Sequence, residues 1–174
     1  VDGVPVVWEA CHTFSGSWGY HRDEASWKSV EQLLTLLIEA VSKGGNFLLN
    51  VGPTARGEFD ERALARLEGI GQWMRRHSRA IYGCTQAPDE FKPPPDCRLT
   101  YNPETNCLYV HILAWPFRHL HLDGYGKKVA YAQLLHDASE VKIIRDQKKP
   151  DDITLELPVL RPNVAVAVVE LFLR

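Results

Sequence analysis

The 174-residue chain is 45 % hydrophobic and 24 % charged, with a formal charge of −2 and a pI near 6.4. That composition belongs to a globular protein with one domain of ordinary size or two small ones. It excludes the basic footprint of a nucleic-acid binder, and no run approaches the roughly 18 apolar residues of a membrane span. The first residue is Val1 and the sole methionine is Met74, so the sequence is expected to be a piece of a longer protein.

In chain order, Val4-Pro5-Val6-Val7 is a short apolar run ending in Trp8 and Glu9. It predicts a buried strand with a carboxylate at its exit, the position at which parallel barrels carry catalysts. From Trp27 to Ser42, Val30, Leu33, Leu34, Leu37, Ile38 and Val41 fall on one helical face. Gly44-Gly45 stops that helix. Asn46 to Val51 is almost wholly apolar, as expected of a strand covered on both faces, and Gly52-Pro53 breaks it. Asp60 offers an N-cap to a second helix in which Leu64, Leu67, Ile70 and Met74 recur at helical spacing. Arg75, Arg76, His77 and Arg79 complement its C-terminal dipole. Ala80 to Gly83 predicts a further short strand.

Residues 86–96 hold four of the eleven prolines and predict a linker. Beyond it the period changes to two, with Leu108, Val110 and Ile112 alternating against Tyr109, His111 and Leu113. Strands are predicted near 128–135, 140–144, 153–157 and 164–173, and His119 and His121 share one face of another. Several short strands separated by turns imply an antiparallel sandwich. The fold class expected is therefore α/β plus all-β: residues 1–85 as α/β, 86–96 as linker and 97–174 as sandwich.

The four cysteines, Cys11, Cys84, Cys97 and Cys107, form no Cys-x-x-Cys pair and are read as free thiols. His12, His21, His119 and His121 lack the further ligands that zinc needs, so neither a metal nor a cofactor is expected. Thr54-Ala55-Arg56-Gly57-Glu58 is a surface loop without the Gly-Lys-Ser/Thr ending of a phosphate loop. Asp23-Glu24 lead into the first helix, where acidic residues suit the dipole. Asn46 and Asn50 are expected to order backbone groups at the two ends of their strand.

Several segments resemble the α-L-fucosidase family of retaining glycoside hydrolases. They are Trp8-Glu9, Ser17-Trp18-Gly19-Tyr20-His21-Arg22-Asp23, Ser29 to Leu33, Val41 to Asn46, Leu48-Leu49-Asn50-Val51-Gly52-Pro53 and Ala80 to Gly83. The resemblance implies the C-terminal end of a catalytic (β/α) barrel in residues 1–85, followed by the family's β-sandwich, more weakly matched at Leu108 to His111 and Ala130-Tyr131. It implies hydrolysis of terminal α-L-fucose with an aspartate nucleophile and a glutamate acid/base, and the position matching the acid/base is Glu9. A retaining enzyme needs a carboxyl group that stays protonated until it donates to the leaving oxygen. Val6, Val7 and the Trp8 ring are expected to desolvate Glu9 and raise its pKa.

Trp8, Trp18, Tyr20, His21 and Arg22 are the candidate sugar contacts, because aromatic rings pack on apolar sugar faces and Arg supplies directional donors. For the loop residues, packing against the barrel rim is the competing reading. For Glu9, the competing reading is a plain surface carboxylate. The nucleophile has no match: Asp2 stands seven residues before Glu9, too near for a separate parallel strand. The expected partners are a fucosylated glycan and either an N-terminal barrel segment or a second copy of the chain, since an incomplete barrel exposes sheet edges. The alternative is a noncatalytic carbohydrate-binding or assembly protein.

Overall fold

The computed structural model describes residues 6–174; Asp2 and the run Val4-Pro5 lie outside the described residues. Strand β1 (Glu9–Thr13) and strand β2 (Asn46–Asn50) pair in parallel, with helix α1 (Val30–Ser42) between them in the chain. Helix α2 (Glu61–His77) follows and tightens into a 3₁₀ turn over Ser78–Ala80. The remainder is antiparallel. Strands β3 (Thr85–Gln86), β4 (Cys97–Asn102), β5 (Cys107–Ile112), β6 (His119–Leu122), β7 (Val129–Leu134), β8 (Lys142–Asp146), β9 (Lys149–Glu156) and β10 (Ala167–Leu173) make two sheets, with strand orders β3-β4-β5-β10-β7 and β6-β9-β8.

Helix α1 begins at a capping box. The Ser29 hydroxyl accepts from the Gln32 amide at 3.1 Å while the Ser29 amide donates to the Gln32 side chain at 2.8 Å, and two orphan donors are satisfied reciprocally. Its end is a Schellman motif. Gly44 at φ +74° donates to Val41 O and Gly45 donates to Ala40 O, each at 2.9 Å. Leu33, Leu34, Ile38 and Val41 are buried as their spacing predicts, but Trp27 precedes the helix. The Lys28 amide bonds instead to Phe14 O at 2.9 Å, which holds residues 27–28 against the end of β1.

Three expectations are corrected. In α2 the covered side is Ala63, Trp73 and His77, with Ile70 and Met74 partly buried. Leu64 and Leu67 are 51 % and 36 % exposed, because the helix meets its neighbours along a stripe rotated away from them. Ala80 to Gly83 is a turn: the amides of Ile81 and Tyr82 both bond back to Ser78 O, at 3.0 and 2.8 Å, and Gly83 takes φ +72°. Finally, β1 starts at Glu9 instead of ending there.

Among the described residues there are three buried clusters, and the two larger ones line the two faces of the five-stranded sheet. One lies between the sheets and includes Leu99, Leu108, Val110, Leu122, Leu155 and Leu171. The other lies where the helices cover the opposite side of the five-stranded sheet, joining Leu34, Ile38 and Trp73 to Tyr109 and Val168. Strand β5 is thus buried on both faces, and its alternating pattern does not mark a wet side. On the helix-covered face the buried His111 donates from Nε2 to Thr100 Oγ at 2.8 Å, and the Thr100 hydroxyl donates to Ala80 O at 2.7 Å. The proline-rich segment is also pinned. Phe91 is buried edge-on against Tyr125 at 5.0 Å, and the Tyr125 hydroxyl donates to Lys92 O at 2.9 Å.

Candidate active site

The register of the parallel pair decides which side chains share a face. Glu9 sits opposite Asn46, Cys11 opposite Leu48 and Thr13 opposite Asn50. Because successive side chains alternate, these six point one way, while Ala10, His12, Phe47 and Leu49 point the other. The second face is covered: Phe14, Leu49 and Val51 meet Leu33 and Ala63 of the two helices. The first face is open, with Leu48 44 % exposed and Glu9, Cys11 and Asn46 exposed as well. The expectation that β2 is covered on both faces therefore fails in this chain. An apolar run built for two-sided burial has only one side covered.

At the C-terminal ends of both strands two loops converge. The loop after β1 carries Ser15, Ser17, Gly19, Tyr20, His21 and Glu24, and it closes on Asn50, Val51 and Gly52 around a recess of about 10 Å³. That volume suits roughly one water, so the loop is seated on β2. Asn50 donates from Nδ2 to Trp18 O at 2.6 Å. At Gly52 any side chain is barred, since a Cβ there would lie 2.5 Å from Tyr20 N.

The base of this loop is tied down equally firmly. The Lys28 ammonium donates to Thr13 O at 2.9 Å and Ser15 O at 3.1 Å. Trp27 lies beneath two guanidinium groups, with Arg62 and Arg66 carbons 4.8 and 5.0 Å from its ring centre, a cation–π arrangement. Arg66 also donates to Lys28 O at 2.6 Å. The side chains the loop presents remain accessible: Trp18 is 60 % exposed, and Tyr20, His21 and Arg22 are exposed.

The structure brings Trp18, Tyr20, His21 and Arg22 together on one loop and separates them from Trp8 and Glu9. Glu9 opens β1, four residues before Thr13. At a rise of about 3.3 Å per residue this puts it roughly 13 Å from the loop end. Trp8 packs on Gly45, where a Cβ would lie 2.3 Å from the indole, so its ring belongs to the α1–β2 connection. Val6 and Val7, expected to desolvate Glu9, are themselves exposed. Asn50 orders its strand end through Trp18 O, whereas at the other end it is the main-chain amide of Asn46 that donates to Trp8 O, at 2.9 Å. Among the described residues no cluster of three His, Cys, Asp or Glu is placed to hold a metal.

The sequence reading missed Glu24. Its carboxylate accepts from Ser17 Oγ at 2.7 Å and from Ser26 N and Oγ at 2.8 and 2.5 Å. These bonds pull its pKa down to about 2, so it is held ionised. The available signal was a carboxylate flanked by two serines within a loop.

The family model for alpha-L-fucosidase matches residues 2–79. Over that span the chain matches the alpha-L-fucosidase family. Rat plasma alpha-L-fucosidase is 36 % identical over 170 residues, covering 90 % of this chain and 35 % of the rat protein. Human plasma alpha-L-fucosidase is 32 % identical over 157 residues, covering 88 % and 32 %. Among solved structures, alpha-L-fucosidase isoenzyme 1 from Paenibacillus thiaminolyticus superposes with a TM-score of 0.90 at 38 % identity, over 99 % of this chain and 41 % of that one. A GH29 alpha-L-fucosidase from Bacteroides thetaiotaomicron matches with a TM-score of 0.83 at 27 % identity, over 96 % of this chain and 38 % of that one. It was trapped as a covalent intermediate, with 2-fluoro-fucosyl fluoride, in a mutant replacing a glutamate by glutamine. The chain thus spans about a third of the length of the curated alpha-L-fucosidases it matches.

Proposed function

We propose that this chain is the C-terminal portion of an α-L-fucosidase, which removes terminal α-L-fucose from glycans by retaining double displacement. In this reading residues 1–85 are the end of the catalytic barrel, 86–96 the link and 97–174 the β-sandwich. The nucleophilic aspartate comes from outside the chain, supplied by an N-terminal barrel segment. The observation that carries the reading is the 0.90 superposition on the Paenibacillus thiaminolyticus enzyme across 99 % of the chain. A covalent intermediate trapped in the Bacteroides relative supports the retaining course, in which the acid that first protonates the leaving oxygen later activates water.

Glu9 is the acid/base in this proposal. Its side chain lies on the open face of β1 with Cys11 and Thr13, the face that would look into a completed barrel. Glu24, the carboxylate at the loop end, is held anionic and is a poor proton donor near neutral pH. Trp18, Tyr20, His21 and Arg22 are the sugar contacts. Trp8, packed on Gly45, keeps a supporting place at the start of β1.

In the active assembly, Glu9→Gln should slow natural glycans far more than aryl fucosides with good leaving groups, by about 10²-fold or more on the former, because aryl leaving groups need little protonation. Equal losses on both substrates, measured as kcat/KM, would remove Glu9 from the acid role. The open β1–β2 face favours a second reading, a noncatalytic module that uses this face to bind a carbohydrate or another chain.

A further inference from the structure

Glu24 stands five residues before the Ser29 cap, and its carboxylate turns back into the loop, away from the helix end. Oε2 accepts from Ser17, at the loop's rising limb, and Oε1 accepts from both donors of Ser26, at its descending limb. The two limbs are pressed together there: a Cβ on Gly16 would lie 2.6 Å from Ser26 Oγ and 3.3 Å from Glu24 Oε2. The backbone of the same residue is bound on both sides. Its amide donates to His21 O at 3.2 Å, and its carbonyl accepts from Trp27 Nε1 at 3.1 Å and Arg62 Nη1 at 2.9 Å. One residue therefore bridges both limbs of the loop and the first turn of α2.

We propose that Glu24 is the positioning residue of the site, the group that sets the conformation of the loop from Ser15 to His21 and so aims Trp18, Tyr20 and His21. The inference rests on the reading of this loop as the sugar-contacting part of a fucosidase. Glu24 touches no reacting atom. Its role depends on accepting three hydrogen bonds, which an ionised carboxylate does with its two oxygens; a glutamine offers one acceptor oxygen and two donors, and an alanine offers nothing. Charge-assisted bonds of this kind are roughly twice as strong as neutral ones.

The test compares the full 174-residue chain with Glu24→Ala, Glu24→Gln and Ser17→Ala, the last removing only the bond to the rising limb. Amide hydrogen exchange is read at residues 16–22 and in α1 and α2, and L-fucose binding is read by tryptophan fluorescence. Glu24→Ala should speed exchange in the loop and weaken L-fucose by about tenfold each, with Glu24→Gln and Ser17→Ala intermediate and the helices unchanged. Unchanged loop exchange would overturn the proposal. So would faster exchange with L-fucose affinity intact, because the loop's conformation would then not govern the site. If the unsubstituted 174-residue chain binds no L-fucose, the fucose comparison is made with residues 6–174 grafted onto the N-terminal part of the Paenibacillus thiaminolyticus enzyme, where an affinity unchanged by Glu24→Ala would likewise overturn the proposal. Should Glu24→Ala not fold, Ser17→Ala decides it.

Discussion

Trp73→Ala should destabilise the chain by about 3–5 kcal/mol, the range for deleting a large buried aromatic. Trp73 is 4 % exposed, stacks on His77 with ring centres 4.6 Å apart and planes 5° from parallel, and donates from Nε1 to Val166 O at 2.8 Å. It belongs to α2, yet its hydrogen bond crosses to the segment that enters β10. The same core contains Leu34 and Ile38 of α1 and Tyr109 of β5. Losing Trp73 therefore removes contacts between the helical section and the sheet. Urea unfolding followed by helical circular dichroism and by NMR signals of β5 and β10 should show both transitions moving together to lower denaturant. A helix transition that shifts while the sheet transition stays fixed would mean that the two sections do not share a cooperative core. Trp73→Phe is expected to lose less, chiefly the roughly 1–3 kcal/mol of leaving Val166 O unpaired.

Acid should destabilise the chain well before its exposed carboxylates are all protonated, because two imidazoles are buried neutral. Burial is the main cause in both cases: it depresses the His77 pKa to about 4 and that of His111 to about 3, against 6.5 for a free histidine. Neighbouring charge on His136, Arg76 and Arg79 adds to the depression at His77. Each ring has one nitrogen engaged. His77 Nδ1 donates to Trp73 O at 2.8 Å, leaving Nε2 without a partner, and His111 is similarly left with Nδ1. The unfolded chain binds these protons first, so stability is fully present above pH 6.5 and falls as pH drops below it. For His77 alone the loss by pH 4 is about 3 kcal/mol, at 1.36 kcal/mol per unit of pKa. His77→Phe, which keeps a flat ring on Trp73, should flatten the slope of unfolding free energy between pH 6.5 and 4. An unchanged slope in His77→Phe would assign the acid sensitivity to other groups.

How much of this was legible in sequence differs element by element. Helix α1 was readable because its apolar stripe, its Ser29–Gln32 cap and its Gly44-Gly45 stop all agree, and such agreement across levels is what specifies an element. Helix α2 gave its limits through Asp60 and His77 but not its buried side, since Leu64 and Leu67 carried the apolar signal while the packing used Ala63 and Trp73. Strand β4 went unforeseen because Arg98 and Thr100 interrupt its apolar residues. Both are satisfied by the helical section, Arg98 by Glu39 at 2.5 Å and Thr100 by Ala80 O, partners that lie far away in sequence. In the candidate site, the loop from Ser17 to Arg22 could be found from its residue types. The direction of β1 could not: Val6 and Val7 have the look of a strand, and only pairing with β2 shows that the ladder begins at Glu9. Glu24 was hidden for a related reason, since an acidic residue shortly before a helix has a ready explanation in the dipole.

The most direct test of the fucosidase reading grafts residues 6–174 in place of the matching C-terminal part of the Paenibacillus thiaminolyticus enzyme and measures hydrolysis of 4-nitrophenyl α-L-fucoside. The reading predicts turnover by the graft and none by the 174-residue chain alone, because the nucleophile lies in the N-terminal barrel segment. A graft that folds and binds L-fucose without hydrolysing the fucoside would contradict it.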